Sequence, residues 1–505
     1  MSIKMQALIS SAWNVGAAMI SKIIILLVYV VIARFVEIEE FGYVAFAYLI
    51  FEFLSIFIGA GIKDNLVKRD NWDDEYASSA FWLILLISII ISSLAIIIIT
   101  PLLIYFYNQE LANIFISMSF IPILTAFRVV QAAKMERDFL YKSLAIRNMV
   151  ASIVAGIVGV YLAIEGYGAW ALVYNKFIFS ILSVLLLWWL SDFTPKLKFS
   201  KAHIKELYLF SLPIMGSEVI TFWQGRVIDF IASIFLGPAA FALMDVGRKI
   251  INTFYLIVLR PLRNVSFSLL SRVSDKDKDL VYIKVVFLVS FFVYPFITVL
   301  GLHSEYVITL LFSDKWHDSV EIMAVFSYAV YPYIANWFSH TLMISVGKAS
   351  LLFKINVVSM ILMLIAALIS FPYGLKALVM GQVIIEYLLL FIRVWLLYKV
   401  IAFDYKKFFR YQIPVFVIGV FCILGFHFSD NYFLVANNFY GFMISFASWI
   451  ILYYACIFLL DRHYFRECYR LTFFYALTKI KTNRKKKVNF DKVTNDLNQK
   501  KRHQK

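Results

Sequence analysis

The sequence has few charged residues and few cysteines for its length. Of its 505 residues, 16% are Asp, Glu, Lys or Arg, against roughly a quarter in soluble globular proteins. Because 62% of the residues are hydrophobic, a soluble fold is excluded, and the 19 glycines and 10 prolines exclude collagen-like and disordered chains. The three cysteines, Cys422, Cys456 and Cys468, form no CxxC pair and no metal-ligand spacing, which excludes a disulfide framework and a zinc site.

Nucleotide-binding and hydrolase motifs are also lacking. The chain contains no Walker A, GxGxxG, HExxH or GxSxG pattern in a suitable context. We therefore expect no ATPase, no metal, no other cofactor and no enzyme active site.

Long apolar runs are present, and they predict an all-α integral membrane protein. A membrane-spanning helix needs about 20 apolar residues, and runs such as 84–99 do not alternate as the strands of a β-barrel do. About fourteen spans fit the chain. Their predicted positions are roughly 9–34, 41–61, 78–103, 111–132, 144–164, 168–190, 206–236, 239–267, 281–302, 318–346, 350–371, 374–399, 411–428 and 435–460.

The loops that follow even-numbered spans are basic, and those that follow odd-numbered spans are mostly acidic or uncharged. The basic residues of the first group are Lys63, Lys68, Arg69, Lys134, Arg137, Lys142, Lys196, Lys198, Lys201, Lys205, Arg272, Lys276, Lys278, Lys348, Lys406, Lys407 and Arg410. This asymmetry predicts an even number of spans with both termini in the cytoplasm. The basic tail, 461–505, is expected to contact anionic membrane lipids, and no nucleic-acid partner is expected because no nucleic-acid-binding module is present.

An internal repeat divides the chain. The pattern YGxxALV occurs at 167–173 and again at 373–379, and Asn148 and Asn356 recur at nearly the same interval. These matches predict two parallel repeats of six helices. The expected division is an N-terminal lobe at 1–200, a C-terminal lobe at 201–405, two additional helices at 406–460 and the basic cytoplasmic tail at 461–505. Transporters built from such repeats bind substrate between the halves and alternate access by rocking one half against the other.

Further motifs carry a resemblance to a known family. They are Glu40-Phe41-Gly42-Tyr43, Gly59-Ala60-Gly61-Ile62 before Lys68-Arg69, Met135-Glu136-Arg137-Asp138-Phe139, and Lys315-Trp316. Together with YGxxALV they resemble the polysaccharide transporters of the MATE-like multidrug/oligosaccharidyl-lipid/polysaccharide (MOP) flippase superfamily. Within it they are most similar to the Wzx-type O-antigen and colanic-acid exporters of bacteria. The resemblance covers roughly residues 1–460.

This resemblance implies a flippase of the bacterial inner membrane. Such a protein moves an undecaprenyl-pyrophosphate-linked oligosaccharide to the outer leaflet for O-antigen, capsule or exopolysaccharide synthesis, where polysaccharide polymerase machinery uses it. One alternative is a MATE-type multidrug/cation antiporter, which would have an acidic cavity in its first lobe. Another, from a different class, is a membrane-embedded polysaccharide polymerase or glycosyltransferase, which would need a larger loop with paired acids or a metal site.

Several ionisable residues are predicted at membrane depth, where each costs about 2.5–3.5 kcal/mol and normally faces a partner or a cavity. Cations bind a diphosphate, and arginine adds planar, bidentate hydrogen bonds. The candidate substrate-binding residues are Lys22, Arg128, Lys176, Arg226, Arg248 and Lys249. The candidate ion-pair partners, or carriers of a coupling proton or cation, are Glu52, Glu218, Asp229 and Asp245.

Two readings of these charges stay open. Spacings of three and four residues place Arg226 with Asp229, and Asp245 with Arg248 and Lys249, on shared helix faces. The pairs therefore either form a substrate site or lock two helices together, and Arg128 and Lys176 either bind substrate or extend to an interface. Aromatic residues present a similar choice between stacking on sugars and packing in the bundle: Trp223, Tyr255, Tyr328, Tyr331, Tyr333 and Trp337. His340 is a proton carrier or a packed histidine.

Overall fold

The computed structural model describes residues 3–401, 403–429 and 439–460, which form helices and no strand. The helices are α1 (Ile3–Phe35), α2 (Ile38–Gly59), α3 (Ile62–Lys68), α4 (Asp74–Phe106), α5 (Gln109–Met118), α6 (Ile121–Arg137), α7 (Tyr141–Ile164), α8 (Ala169–Leu190), α9 (Lys201–Ile231), α10 (Pro238–Leu270), α11 (Lys278–Leu302), α12 (Ser304–Phe312), α13 (Ser319–Ser327), α14 (Val330–Ser345), α15 (Ala349–Ser370), α16 (Leu375–Ile401), α17 (Tyr405–Ser429) and α18 (Phe439–Leu460). The predicted basic tail with Cys468, and the side chain of Cys422, lie outside what is described.

Helices lie over the predicted spans, except for positions 435–438 of the last one, which lie outside the described residues. Within the described ranges, ten helical segments are long and apolar enough to cross a membrane. The all-α membrane architecture is therefore confirmed, and the number of fourteen spans stays a prediction.

Two predicted spans are each broken into two helices. The span predicted at 111–132 consists of α5 and α6, and Pro122 follows the break. The span predicted at 318–346 consists of α13 and α14, and Pro332 follows the break. Proline has no N–H to donate, and its ring crowds the preceding turn, so it favours an interruption at these points. The breaks occupy equivalent places in the two predicted repeats, since α5 and α13 contain 10 and 9 residues.

The repeated Tyr-Gly pair has the same structural role in both places. Gly168 precedes α8 with φ +53°, and Gly374 precedes α16 with φ +92°. A residue with a side chain rarely adopts such angles. Glycine is required at both positions for the chain to turn and begin the next helix.

The described chain divides into two compact units. The first contains residues from 1–282 and 300–405, and the second contains residues from 283–299 and 406–505. In the second unit, Phe287 of α11 contacts Tyr411 of α17 with ring centroids 5.4 Å apart. The lobe boundaries expected from the repeat stay a prediction.

The helices of the first unit run between two sides, which we name by their residues. On the Gly237 side, a single π-helical turn at the end of α9 leads through Gly237 into α10. Gly42 of α2 lies so close that a Cβ there would overlap the Pro238 carbonyl group. We call the opposite side the basic side. It contains Arg69, which pairs with Glu206 of α9 at 2.9 Å.

Candidate functional site

Two adjoining cavities lie in the first unit, and Lys22 and Ile25 of α1 line both. The N-terminal cavity, of about 650 Å³, lies among α1, α3, α6, α7 and α8. The C-terminal cavity, of about 630 Å³, lies among α1, α9, α10, α13, α14 and α16. Both volumes fall in the range of small-molecule sites.

The N-terminal cavity is cationic. Lys22, Lys63, Arg128 and Arg147 line it, and Glu136 is the only acid among its lining residues. Glu136 is already paired with Lys63, with the Nζ–Oε1 distance at 2.8 Å. The described residues include no ion pair between a carboxylate and Lys22, Arg128 or Arg147. These three cations are therefore available to an anionic ligand.

Arg147 is a site residue that sequence reasoning missed. It is the seventh residue of α7, a position expected near the membrane interface, and yet it is buried. Its guanidinium group donates to the amide oxygen of Asn148, and its Nε has no partner in the described structure. The recurrence of the neighbouring Asn148 in the internal repeat is the one sequence feature that marks this turn.

Arg226 and Arg248, which line the C-terminal cavity, both bind the carboxylate of Asp229. The Asp229 carboxylate accepts two hydrogen bonds from Arg248, at 2.5 and 2.7 Å, and one from Arg226, at 2.9 Å. Its side chain is 1% exposed. The structure thus brings together the two charge sets that the sequence placed on separate helices.

This network also joins the first predicted lobe to the second. Arg226 of α9 pairs with Glu52 of α2 at 2.8 Å. Tyr29 of α1 donates to Asp245 of α10 at 2.7 Å, and Lys249 lies 3.7 Å from Asp245 and over the Tyr29 ring. Helices α1 and α2 are therefore tied to α9 and α10.

The network is neutral overall. Its three cations, Arg226, Arg248 and Lys249, match its three acids, Glu52, Asp229 and Asp245. This arrangement agrees with the helix-locking reading for Arg248, whose side chain is 6% exposed. Substrate contact by these residues stays a prediction.

Two other candidates lie apart from the cavities. Lys176 lines neither cavity, and its Nζ lies over the Tyr48 ring at 4.3 Å. Glu218 is exposed on α9 and lines neither cavity. Their roles in substrate binding and coupling stay predictions.

Aromatic and polar side chains also line the C-terminal cavity. Tyr255 and Tyr333 stack with centroids 4.5 Å apart, and Trp337 lies 5.5 Å from Tyr333. Arg263 lies over the Trp337 ring at 5.3 Å. These three aromatic residues, predicted as sugar-stacking candidates, all line the cavity. Trp223, by contrast, packs against Phe230.

Two charged residues of α16, the half-buried Glu386 and the buried Arg393, line the same cavity. Glu386 accepts a hydrogen bond from Asn336 at 2.8 Å. Arg393 donates to the Asn336 carbonyl oxygen at 2.9 Å and to Ser339 at 3.2 Å. His340 lines the same cavity. Sequence reasoning missed Glu386, Arg393 and Arg263.

On the Gly237 side, hydrogen bonds join the end of α1 to α12 and to the segment that follows α12. Arg34 donates to Leu311 O at 2.7 Å, Lys315 donates to Val36 O at 2.7 Å, and the buried Trp316 donates to Ala33 O at 2.8 Å. Helix C-termini favour such donors and positive charges. Burial lowers the pKa of Lys315, while the nearby Glu37 and Glu40 act in the opposite direction. These contacts join α1 to α12 and to the segment between α12 and α13.

Comparisons with known proteins agree with this architecture. A family model described as polysaccharide biosynthesis protein matches residues 31–321. The succinoglycan biosynthesis transport protein ExoT of Rhizobium meliloti (strain 1021) is 28% identical over 192 residues, or 38% of this chain. The match spans only 39% of that relative's length.

Solved transporters share the fold. The lipid II flippase MurJ in its inward closed conformation superposes with a TM-score of 0.74 at 15% identity, covering 89% of this chain and 98% of that one. An inward-facing multidrug resistance MATE transporter of the MOP superfamily superposes with a TM-score of 0.56 at 16% identity, covering 75% and 94%. At these identities the likeness establishes the fold alone.

Proposed function

The chain belongs to the polysaccharide biosynthesis protein family, and from this premise we propose that it is a flippase for lipid-linked oligosaccharides in the bacterial inner membrane. The family resemblance seen in the sequence motifs is confirmed, as is the fold of the MOP superfamily. The curated relative is a succinoglycan biosynthesis transport protein, and one solved neighbour is a lipid II flippase. For this chain we propose a polyprenyl diphosphate that carries an oligosaccharide as the substrate.

The unpaired cations of the N-terminal cavity carry this proposal. Lys22, Arg128 and Arg147 line one cavity and have no carboxylate partner among the described residues. Unpaired cations at membrane depth are costly, and a diphosphate offsets that cost by accepting charge-assisted hydrogen bonds. We therefore propose that these three residues bind the diphosphate. Arg226 lines the adjoining C-terminal cavity.

We propose that the basic side faces the cytoplasm, as the positive-inside rule predicts. The contacts on the Gly237 side then hold the halves together at the outer face, and the cavities receive substrate from the inner face. The pairs Glu52–Arg226 and Tyr29–Asp245 stabilise this arrangement until they part as one half rocks against the other. Consumption of the delivered oligosaccharide by a polymerase, or coupling to protons or cations, drives net transport towards the outer leaflet.

A MATE-type multidrug/cation antiporter is the second candidate, because an inward-facing MATE transporter shares the fold. The charge of the cavity opposes it. The network of Arg226, Arg248 and Lys249 is neutralised by its acids, and the remaining charged residues that line the C-terminal cavity are three cations, Lys22, Arg263 and Arg393, against one acid, Glu386. A cationic drug would be repelled, whereas a diphosphate is attracted. We propose a transporter and no enzyme.

The double variant Arg128→Gln/Arg147→Gln tests the proposal. Hydrogen bonds to charged groups contribute about 1.5–3 kcal/mol each, so we expect the affinity of the purified chain for farnesyl diphosphate to fall at least about 100-fold. Export of surface polysaccharide, in a bacterium whose own exporter has been deleted, should be lost. Arg272→Gln, at an exposed arginine of the basic side, is the matched control. Normal binding and export by the double variant would contradict the assignment.

A further inference from the structure

Five residues that line the C-terminal cavity each have a buried polar atom without a hydrogen-bond partner within the described structure. These atoms are Tyr255 OH, Asn336 Oδ1, Trp337 Nε1, Gln382 Oε1 and Arg393 Nε, and their residues, which we call the polar wall, all line this cavity. Asn336 and Arg393 are only 4% and 3% exposed. A buried polar atom without a partner is destabilising, so five in one wall require an explanation.

The chemistry of the polar wall is mixed. Trp337 Nε1 and Arg393 Nε can only donate, the amide oxygens of Asn336 and Gln382 can only accept, and the Tyr255 hydroxyl can do both. A phosphate would satisfy the donors alone, and a metal ion would satisfy the oxygens alone. Hydroxyl groups both donate and accept, so a ligand rich in hydroxyls satisfies the whole set.

Aromatic rings complete the wall. The stacked pair of Tyr255 and Tyr333, with Trp337 beside it, offers apolar surface next to the unpaired polar atoms. Ligand sites commonly combine such surface with a few placed polar groups. A pyranose ring has the matching character, because its C–H face is apolar and its rim carries hydroxyls.

A coupling cation at Glu386 is the competing explanation. Cations such as sodium need several oxygen ligands and no nearby positive charge. Here the guanidinium groups of Arg263 and Arg393 line the same cavity, and the Glu386 carboxylate already accepts a hydrogen bond from Asn336. A bound cation would also leave the N–H groups of Trp337 and Arg393 without a hydrogen-bond acceptor.

We propose that the polar wall is a saccharide subsite that binds a pyranose ring of the transported oligosaccharide. The proposal rests on the proposed function. Lys22 lines both cavities, so a ligand whose diphosphate contacts Lys22 can extend its saccharide into the C-terminal cavity. The N-terminal cavity then binds the diphosphate, and the polar wall binds the sugar.

Four ligands that share farnesyl diphosphate and differ only in the sugar test the subsite. The purified full chain in lipid nanodiscs is titrated with farnesyl diphosphate and with its glucosyl, galactosyl and N-acetylglucosaminyl derivatives. We expect at least one glycosylated ligand to bind about tenfold more tightly than farnesyl diphosphate. Gln382→Met and Trp337→Phe, which each remove one polar contact, should reduce that preference to about twofold or less. Trp395→Phe, at a 53% exposed tryptophan of α16, should keep it.

The unglycosylated ligand separates the two hypotheses and reports on folding. Unchanged affinity of Gln382→Met and Trp337→Phe for farnesyl diphosphate shows that these variants are folded. Arg128→Gln/Arg147→Gln should weaken all ligands equally and preserve the sugar preference. Equal affinity of the unaltered chain for all four ligands would overturn the saccharide subsite and leave the flippase proposal standing. Absence of binding to any of them would overturn the flippase proposal, and the subsite with it. Loss of farnesyl diphosphate binding in Gln382→Met would also overturn the subsite.

Discussion

Replacing Asp229 by Asn should strongly destabilise the protein. The Asp229 side chain is 1% exposed and accepts hydrogen bonds from Arg248 and Arg226. Asparagine keeps one carbonyl oxygen and loses the charge, which leaves the buried Arg248 with only Asp245, at 3.5 Å. Breaking a buried ion pair by removing one partner costs about 3–5 kcal/mol.

Glu52→Gln is the matched control, because it removes the other carboxylate bound to Arg226. Arg226 and Glu52 are 32% and 37% exposed, so their pair should contribute about 0.2–1 kcal/mol. Thermal unfolding of the purified chain, followed by intrinsic fluorescence, measures both variants. We expect the midpoint to fall by roughly 5–10 °C for Asp229→Asn and by a degree or two for Glu52→Gln.

The result also decides between the two readings of this network. Equal melting of the two variants would refute the reasoning that Asp229 holds the arginines in place. Unchanged melting of Asp229→Asn with loss of export would instead assign Asp229 a direct part in transport, such as carrying a coupling proton. A large loss of stability would identify the Asp229–Arg248 pair as a structural lock.

Two further predictions concern the Gly237 side. Gly42→Leu places a side chain where the Pro238 carbonyl group lies, so α2 and α10 cannot pack together there. Export should then stop while the protein still inserts into the membrane. Normal polysaccharide export by this variant would contradict the prediction. Trp316→Phe keeps the packing and removes the hydrogen bond to Ala33 O, worth about 0.5–1.5 kcal/mol. The probe is Asn252→Cys in the C-terminal cavity of a cysteine-free chain. With Trp316→Phe, it should react with an impermeant maleimide from the Gly237 side about two- to tenfold faster than without it. An unchanged rate would contradict the proposal that these contacts close the Gly237 side.

The sequence predicted the helices well because apolar length alone determines where a chain can cross a membrane. It also placed Arg226 with Asp229 and Asp245 with Arg248 correctly, since those pairs follow from helical spacing. The sequence did not predict contacts between different helices. No local pattern links Glu52 to Arg226, which lie on α2 and α9 and meet only in the folded chain.

The breaks in the helices and part of the site were missed for different reasons. Pro122 and Pro332 were visible, but proline is tolerated within spanning helices, so its presence did not require a break. Arg147, Arg263 and Arg393 lie in the outer turns of their predicted spans, where charge is usually solvated. Glu386 lies near the middle of its predicted span, and depth alone was a sufficient signal for it.

The matching helix breaks relate the two cavities to each other. Arg128 lies ten residues after Met118, the last residue of α5, and Trp337 lies ten residues after Ser327, the last residue of α13. If both halves descend from one duplicated ancestor, these two positions are copies of a single ancestral residue. On that account, one surface diverged into an arginine that suits phosphate and a tryptophan that suits sugar. An ancestral pair of identical subunits would have presented the same chemistry twice, and the fused chain could specialise each copy.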